Sequence, residues 1–504
     1  MSSELPLIQS LFIRLEMLKT FLLLMYGREL IMYNVNSNHA EDFINHEEIL
    51  ETLSFAEENK KNEKLIGATI AKARLKKGLS HREASLLLAC ELEENNQEIY
   101  QLAHQIKMDF YGNRIVIFAP LYLSNYCVNG CVYCPYHLQN KEMPRKKLSQ
   151  EEIRKEVIAL QDMGHKRLAL EAGEDPVHNT MEYYLESIKT IYDIKHKNGA
   201  IRRVNVNIAA TTIDNYRLLK EAEIGTYLLF QETYHKESYG RLHPTGPKSN
   251  YNYHTEAMDR AMAAGVDDVG IGVLFGLENF AYEFAGLLMH AEHLEAAFGV
   301  GPHTISVPRL CPSTDVDMNS LSKGLNDDIF AKIVACLRLA VPYTGIILST
   351  RENKECRERL LELGVSQISG GSRTSVGGYH EPKEADKEFR QFDVSDERTL
   401  DEIVHWLISQ GYIPSFCTAC YAQGRVGDRF MELCKKGQIL NCCHPNSLMT
   451  LKEYCMDYAS AETRELGGML IRKEIEKIPD EKVRELVKEN LVLLSENKRR
   501  NFLL

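Results

Sequence analysis

The stretch Cys127-Val128-Asn129-Gly130-Cys131-Val132-Tyr133-Cys134 carries three cysteines, separated by three residues and then by two. A structural zinc site is closed by four ligands, commonly in paired C-x2–4-C units, and no fourth cysteine lies close by. A zinc knuckle and three buried thiols are the bland alternatives. The spacing points instead to a cubane iron–sulfur cluster. Such clusters ordinarily take four thiolates. With three supplied, one iron is left open for a ligand that is not protein.

The chain has 504 residues, room for one barrel-type domain and smaller additions. Thirteen cysteines in this length are too few for a disulfide framework; their clustering implies metal and a reducing, anaerobic cytoplasm. A net charge of −11 without a basic block argues against a nucleic-acid partner. Leu5–Met25 is apolar but interrupted by Arg14, Glu16 and Lys19. It fits neither a spanning helix nor a signal peptide, and no membrane partner is expected. Met32 precedes a polar stretch resembling a cytosolic start, so residues 1–31 are read as an upstream-start extension, and 1–40 as an N-terminal extension without a role.

Residues 41–112 read as a helical region. Ser80 with Glu83 forms a capping box, opening a helix with Ala84, Leu87 and Leu88 on one face; Cys90 joins that apolar face. From Arg114 the pattern alternates between strand and helix. Eight short runs stand out: Ile115–Tyr122, Arg167–Glu171, Val204–Ala209, Tyr227–Glu232, Asp268–Leu274, Thr304–Pro308, Ile346–Thr350 and Gln367–Ser369. A second capping box, Ser149 with Glu152, opens a helix that Gly164 ends. Eight such repeats predict a full (β/α)8 TIM-type barrel over residues 113–380, with its active site at the C-terminal ends of the strands. The cysteine triad follows the first run and falls at that mouth. Residues 381–504 are expected to form a helical, cysteine-rich domain.

The triad, with Tyr133 before its last cysteine, resembles the radical S-adenosylmethionine (SAM) family. In that family the open iron takes the amino and carboxylate groups of SAM, and C–S cleavage releases a 5′-deoxyadenosyl radical. The resemblance gives roles to residues at the mouth. Ala172-Gly173-Glu174 takes the place of the Gly-Gly-Glu motif that binds the SAM amino group. Glu232, Gly272 and Arg309 are further SAM candidates, Gly272 because a glycine lets backbone approach an adenine closely. Arg351 and Ser369 are the candidates for gripping a substrate carboxylate, since a guanidinium clamps carboxylates in bidentate fashion. His293 and His303 are either core histidines or able to reach iron. Cys311, Cys336 and Cys356 are read as structural.

A second array follows the barrel: Cys417 and Cys420 in a C-x2-C pair, then Cys434, Cys442, Cys443 and His444. This is a strong metal signal. By residue type alone it suits structural zinc or an iron–sulfur cluster, with Cys417, Cys420, Cys443 and one of Cys434, Cys442 or His444.

The stretches Ala119–Lys141, Gly301–Arg309, Phe416–Tyr421, Gly424–Phe430 and Cys443–Asn446 closely resemble the HydG family, the radical SAM maturases of [FeFe]-hydrogenase. The related thiamine-pathway tyrosine lyases, the ThiH family, share the barrel and first triad but lack the second array. The resemblance implies cleavage of the Cα–Cβ bond of L-tyrosine to p-cresol and dehydroglycine. CO and cyanide then form at a second [4Fe-4S] cluster on Cys417, Cys420 and Cys443, where an additional Fe with bound L-cysteine becomes an Fe(CO)2(CN) unit. It also implies a reductant such as ferredoxin and other maturation proteins as partners. A scaffold or cluster carrier is the reading from another class.

Overall fold

The computed structural model describes residues 32–504 except 314–315, 322, 382–388, 423, 425–426, 428, 430–431, 434–438, 499 and 503–504. The extension at 1–31 and Cys434 therefore lie outside the described residues.

The eight runs become β1 (Arg114–Ser124), β2 (Arg167–Ala172), β3 (Arg203–Asn207), β4 (Tyr227–Leu228), β5 (Val269–Gly272), β6 (Thr304–Ser306), β7 (Gly345–Leu348) and β8 (Gln367–Ser369). All neighbours are parallel and lie in chain order. Val116–Phe118 of β1 pairs with Gln367–Ser369 of β8, which closes the ring. The barrel expected from the sequence is what forms. A parallel sheet covered by helices outside and side chains inside buries both faces. Side chains alternate across a strand: Val204 and Val206 of β3 are wholly buried, and the alternating Arg203, Asn205 and Asn207 are polar.

β1 is the longest strand and serves three partners along its length. Its start pairs with a ninth strand, β9 (Ile413–Ser415), its middle with β8 and its end with β2. β9 was not expected: it is three residues long and contains Pro414. Proline lacks the N–H a central strand must donate, but an edge strand tolerates it. Its addition ties the cysteine-rich C-terminal segment to the barrel sheet.

Both expected capping boxes form, at Ser80/Glu83 and Ser149/Glu152. Gly164 ends the second helix at φ 102°, where a Cβ would lie 2.7 Å from Tyr454. The N-terminal helices pack on the barrel's outer layer: His81–Ala89 and Glu93–Tyr111 lie against Asp327–Ala340. At the other end of the chain, Ile439–Asp457 packs on β9, Ala461–Ile475 and Glu481–Ser495. One apolar core runs from Ala40 through the barrel to Val487.

Candidate active site at the barrel mouth and a second thiol site at its floor

A cavity of about 240 Å3 opens inside the C-terminal ends of the strands. Cys127, Cys131 and Cys134 line it, with Ala172, Gly173 and Glu174 from the β2 turn, Glu232, Arg351 and Ser369. The cysteine loop and the β2 turn are laced together. Gly173 N–H donates to Ser124 O (3.0 Å), and Val128 N–H donates to Glu174 O (2.8 Å). Asn179 bridges the carbonyls of Tyr126 and Gly173. A Cβ on Gly173 would sit 2.4 Å from Tyr126 O, so this position excludes any other residue.

Asn129, the residue between the first two cysteines, donates to Glu174 at 2.7 Å. Its Oδ1 accepts the N–H of Lys248 at 2.9 Å. Lys248 is enclosed in the mouth and pairs with Glu232 at 2.8 Å. Burial opposes the ammonium charge, but the Glu232 carboxylate beside it more than offsets this and raises its pKa. Tyr133 donates to or accepts from His243 Nε2 at 2.8 Å and so anchors the loop from below. Burial pushes all three thiols up, Cys134 to about 11. Three enclosed thiols facing one cavity suit a cationic iron–sulfur core, since metal binding deprotonates its ligands.

Deeper in the barrel, Asn207 donates to Glu171 at 2.7 Å, and burial pushes the Glu171 carboxyl up to about 8. Arg351 lies over the Phe392 ring at 3.5 Å. Ser369 Oγ accepts the Thr350 N–H, which leaves the hydroxyl proton for the cavity.

At the opposite end, where the strands begin, a smaller pocket is lined by Cys417, Cys420 and Cys443 together with Arg114, Arg167, His303 and Tyr421. Arg114, Arg167 and Arg203 each open a strand. All three are almost fully buried, and Arg114 Nε and Nη2, Arg167 Nε and Arg203 Nη1 find no partner among the described residues. Arg167 donates to Cys417 O at 3.2 Å. Asp268 is the counter-anion, 3.7 Å from Arg203 and 3.4 Å from His303. His303 also meets Tyr421 Oη at 3.1 Å. Buried cationic N–H groups without partners imply an anion, and a cubane held by three thiolates is anionic. The residues present therefore fit such a cluster. Cys442 also lies here, its sulfur 3.9 Å from that of Cys443, whereas His444 turns to Glu474 O. Among the described residues, no three His, Cys, Asp or Glu side chains converge as ligands of a single ion do; cubane thiolates are spread around the cluster, one per iron.

Three candidate residues stand outside the lining of the cysteine cavity. His293 is a core histidine: its ring nitrogens contact Val35 O and Asp259, both at 2.8 Å, and it stacks on Phe43. It lines neither pocket, whereas His303 lines the floor. Arg309 faces away from the cysteine cavity, engaged by Glu352 and Asp327. Gly272 lies outside the cavity lining, with Phe230 and Ser306 O where a Cβ would be. The sequence reading missed Asn129, Lys248 and Asn207. It also missed the floor arginines, although a charged residue opening three buried runs was a visible signal.

Residues 121–288 match the radical SAM superfamily, and residues 306–413 match the biotin and thiamin synthesis associated domain. The chain is 29% identical to the 2-iminoacetate synthase of Escherichia coli K12, over 63% of this chain and 81% of that protein. It superimposes on a crystal structure of HydG, a maturase of the [FeFe]-hydrogenase, with TM-score 0.89 and 53% identity, covering 92% of this chain and all (100%) of that one. For HydG from Carboxydothermus hydrogenoformans the values are TM-score 0.79, 40% identity, 90% and 99%. A thiol triad at the mouth of a full barrel, and identity of this extent over nearly the whole chain, place the protein in the HydG family of radical SAM enzymes.

Proposed function

We propose that the chain is a radical SAM carbon–carbon lyase that cleaves L-tyrosine to p-cresol and dehydroglycine. Dehydroglycine goes on to CO and cyanide, which build an Fe(CO)2(CN) unit for the [FeFe]-hydrogenase H-cluster. The observation that carries this reading is the presence of two separate thiol triads, one at each end of one barrel. Cys127, Cys131 and Cys134 would hold a [4Fe-4S] cluster with SAM, which supplies a 5′-deoxyadenosyl radical. Cys417, Cys420 and Cys443 would hold a second [4Fe-4S] cluster bearing an additional Fe with bound L-cysteine.

The chain's own residues then have defined tasks. Gly173 and Glu174 hold the SAM amino group, with Asn129 orienting the Glu174 carboxylate. Glu232, fixed by Lys248, stands beside a positive group of SAM. Arg351 and Ser369 grip the tyrosine carboxylate. The floor arginines offset the negative charge of the second site, and His303, held neutral by burial, offers a ring nitrogen there. No described helix is long and apolar enough to cross a membrane. The reading includes an anaerobic cytoplasm, a reductant such as ferredoxin and further maturation proteins.

Anaerobic turnover of iron-reconstituted protein with SAM, dithionite and carboxyl-13C tyrosine tests this. The expected products are p-cresol by chromatography and 13CO by its haem complex in the infrared. A Cys417→Ala/Cys420→Ala variant should keep p-cresol and lose CO. Formation of p-cresol without CO from protein with a full second cluster would instead favour a lyase of the thiamine-pathway type.

A further inference from the structure

We propose that Glu171 and Asn207 form a subsite that reads the phenolic hydroxyl of the substrate and so selects tyrosine over phenylalanine. This rests on the tyrosine-lyase reading and assigns a substrate-recognition role to two residues that neither the cysteine motifs nor the SAM turn accounts for. They are register partners at the C-terminal ends of adjacent strands, β2 and β3, and both line the cavity. Arg351 follows β7, on the far side of the eight-strand ring.

The chemistry of the pair is unusual for a carboxyl group. Among the described residues no lysine, arginine or histidine forms an ion pair with Glu171. The one enclosed lysine of the mouth is committed to Glu232. Glu171 instead accepts a single hydrogen bond, from the Asn207 amide to Oε2. A desolvated carboxyl without a cation takes up a proton, and burial here outweighs both the Asn207 hydrogen bond and the attraction of Arg351. The group is then an acid at neutral pH. Asn207 occupies its carbonyl oxygen, and the protonated oxygen is the donor left for the cavity.

The two ends of the cavity therefore differ. At one end Arg351 and Ser369 offer a cation and a hydroxyl, which suits a carboxylate. At the other a neutral acid offers one donor. Phe118, Tyr122, Leu228 and Ile347 also line the cavity. A ligand with a carboxylate head, a flat apolar body and a neutral hydroxyl tail matches this set of groups. An ammonium group would call for an ionised carboxylate, and a second anion would meet no cation at Glu171. A site built to hydrogen-bond a substrate hydroxyl rejects the analogue that lacks it, because the buried polar group is left unpaired.

The test uses SAM-loaded, iron-reconstituted enzyme. Equilibrium dialysis with labelled tyrosine and labelled phenylalanine gives the affinity ratio for wild type, Glu171→Gln, Glu171→Leu and Asn207→Leu. Wild type should favour tyrosine by about a hundredfold or more. Glu171→Leu should cut that ratio by about tenfold or more, through weaker tyrosine binding and unchanged phenylalanine binding. Glu171→Gln, which keeps a donor and an acceptor, should retain the ratio. Asn207→Leu, which removes the anchor of the acid, should move it in the same direction as Glu171→Leu. SAM affinity and iron content of each variant report the fold. A ratio unchanged in Glu171→Leu, or tyrosine and phenylalanine weakening together, overturns the subsite. Absence of p-cresol with tyrosine bound overturns the lyase reading and leaves the dialysis ratio to judge the subsite.

Discussion

The two ends of the barrel solve the problem of holding three thiols in opposite ways. At the mouth the cysteines lie within one loop, and the polar groups around them are mainly acidic: Glu174 and Glu232, with Lys248 as the enclosed cation beside them. At the floor the cysteines come from two separated segments, and the neighbours are mainly basic: Arg114, Arg167, Arg203 and His303 against Asp268. Carboxylates suit a site that must take the cationic SAM. Guanidiniums with spare N–H groups would suit the anionic cluster proposed for the floor. The reason lies in strand direction. A parallel barrel gathers every strand start at one end and every strand finish at the other, so residues far apart in sequence share an end according to their place on the strand.

If the ends work independently, damage to one should spare the other. The largest effect is expected for Cys131→Ala, which removes a thiol from the mouth. SAM cleavage, p-cresol and CO should all vanish, while the iron of the second site remains, as counted by iron analysis and Mössbauer spectra. Loss of both sets of iron would show that the two sites share a folding unit. Next comes Lys248→Met. Glu232 then loses the ammonium that fixes it at 2.8 Å, so SAM affinity should weaken by about tenfold or more in dialysis through misplacement of the carboxylate. Retained affinity would show that Glu232 takes no part in binding SAM.

Arg203→Met is expected to act at the floor alone. Loss of a side chain supporting a metal site weakens metal binding by about 10–100-fold. CO and second-site iron should fall while p-cresol production stays. A parallel fall in p-cresol breaks the separation of the two ends.

The smallest effect concerns stability beneath the floor. Lys107 lies on the helix Glu93–Tyr111, is fully buried, and has Tyr412 as the ring under its ammonium at 4.2 Å. Burial, with Arg338 nearby, lowers its pKa to about 7. The unfolded chain, with a lysine near 10.4, binds more protons between these values. Stability therefore rises as pH climbs from about 7 towards about 10. Lys107→Met should raise Tm by a few degrees at pH 7, and the gain should fade by pH 10. A gain that persists at pH 10 would place the effect in packing rather than charge.

Much of the fold was legible because its signals are local. The eight strand runs, both capping boxes and Gly164 as a helix end are short-range patterns of apolar spacing and turn chemistry. β9 was hidden because three residues with a proline carry no periodicity. At the site, the residues in the cysteine loop and the β2 turn were readable from their motifs. Arg351 and Ser369, assigned from strand ends, do reach the cavity. Arg309 also follows a strand end and does not, because Glu352 and Asp327 turn its guanidinium away. Strand position places a Cα at the mouth, and local ion pairs then decide where a long side chain points.

By itself the sequence determined a cysteine triad suited to an open cubane, an eightfold strand–helix repeat and a second cysteine array. Each is a pattern within a few consecutive residues or a repeat of one. Only the tertiary structure decided that the arginines opening β1 and β2 line the site of the second array with Arg203 of β3 over the Tyr421 ring beside them, and that His303 joins them while His293 packs on Phe43. It alone joined Asn207 to Glu171 and Lys248 to Glu232. Those meetings depend on ring closure and on desolvation within a shared interior, and neither is written in the spacing of residues along the chain.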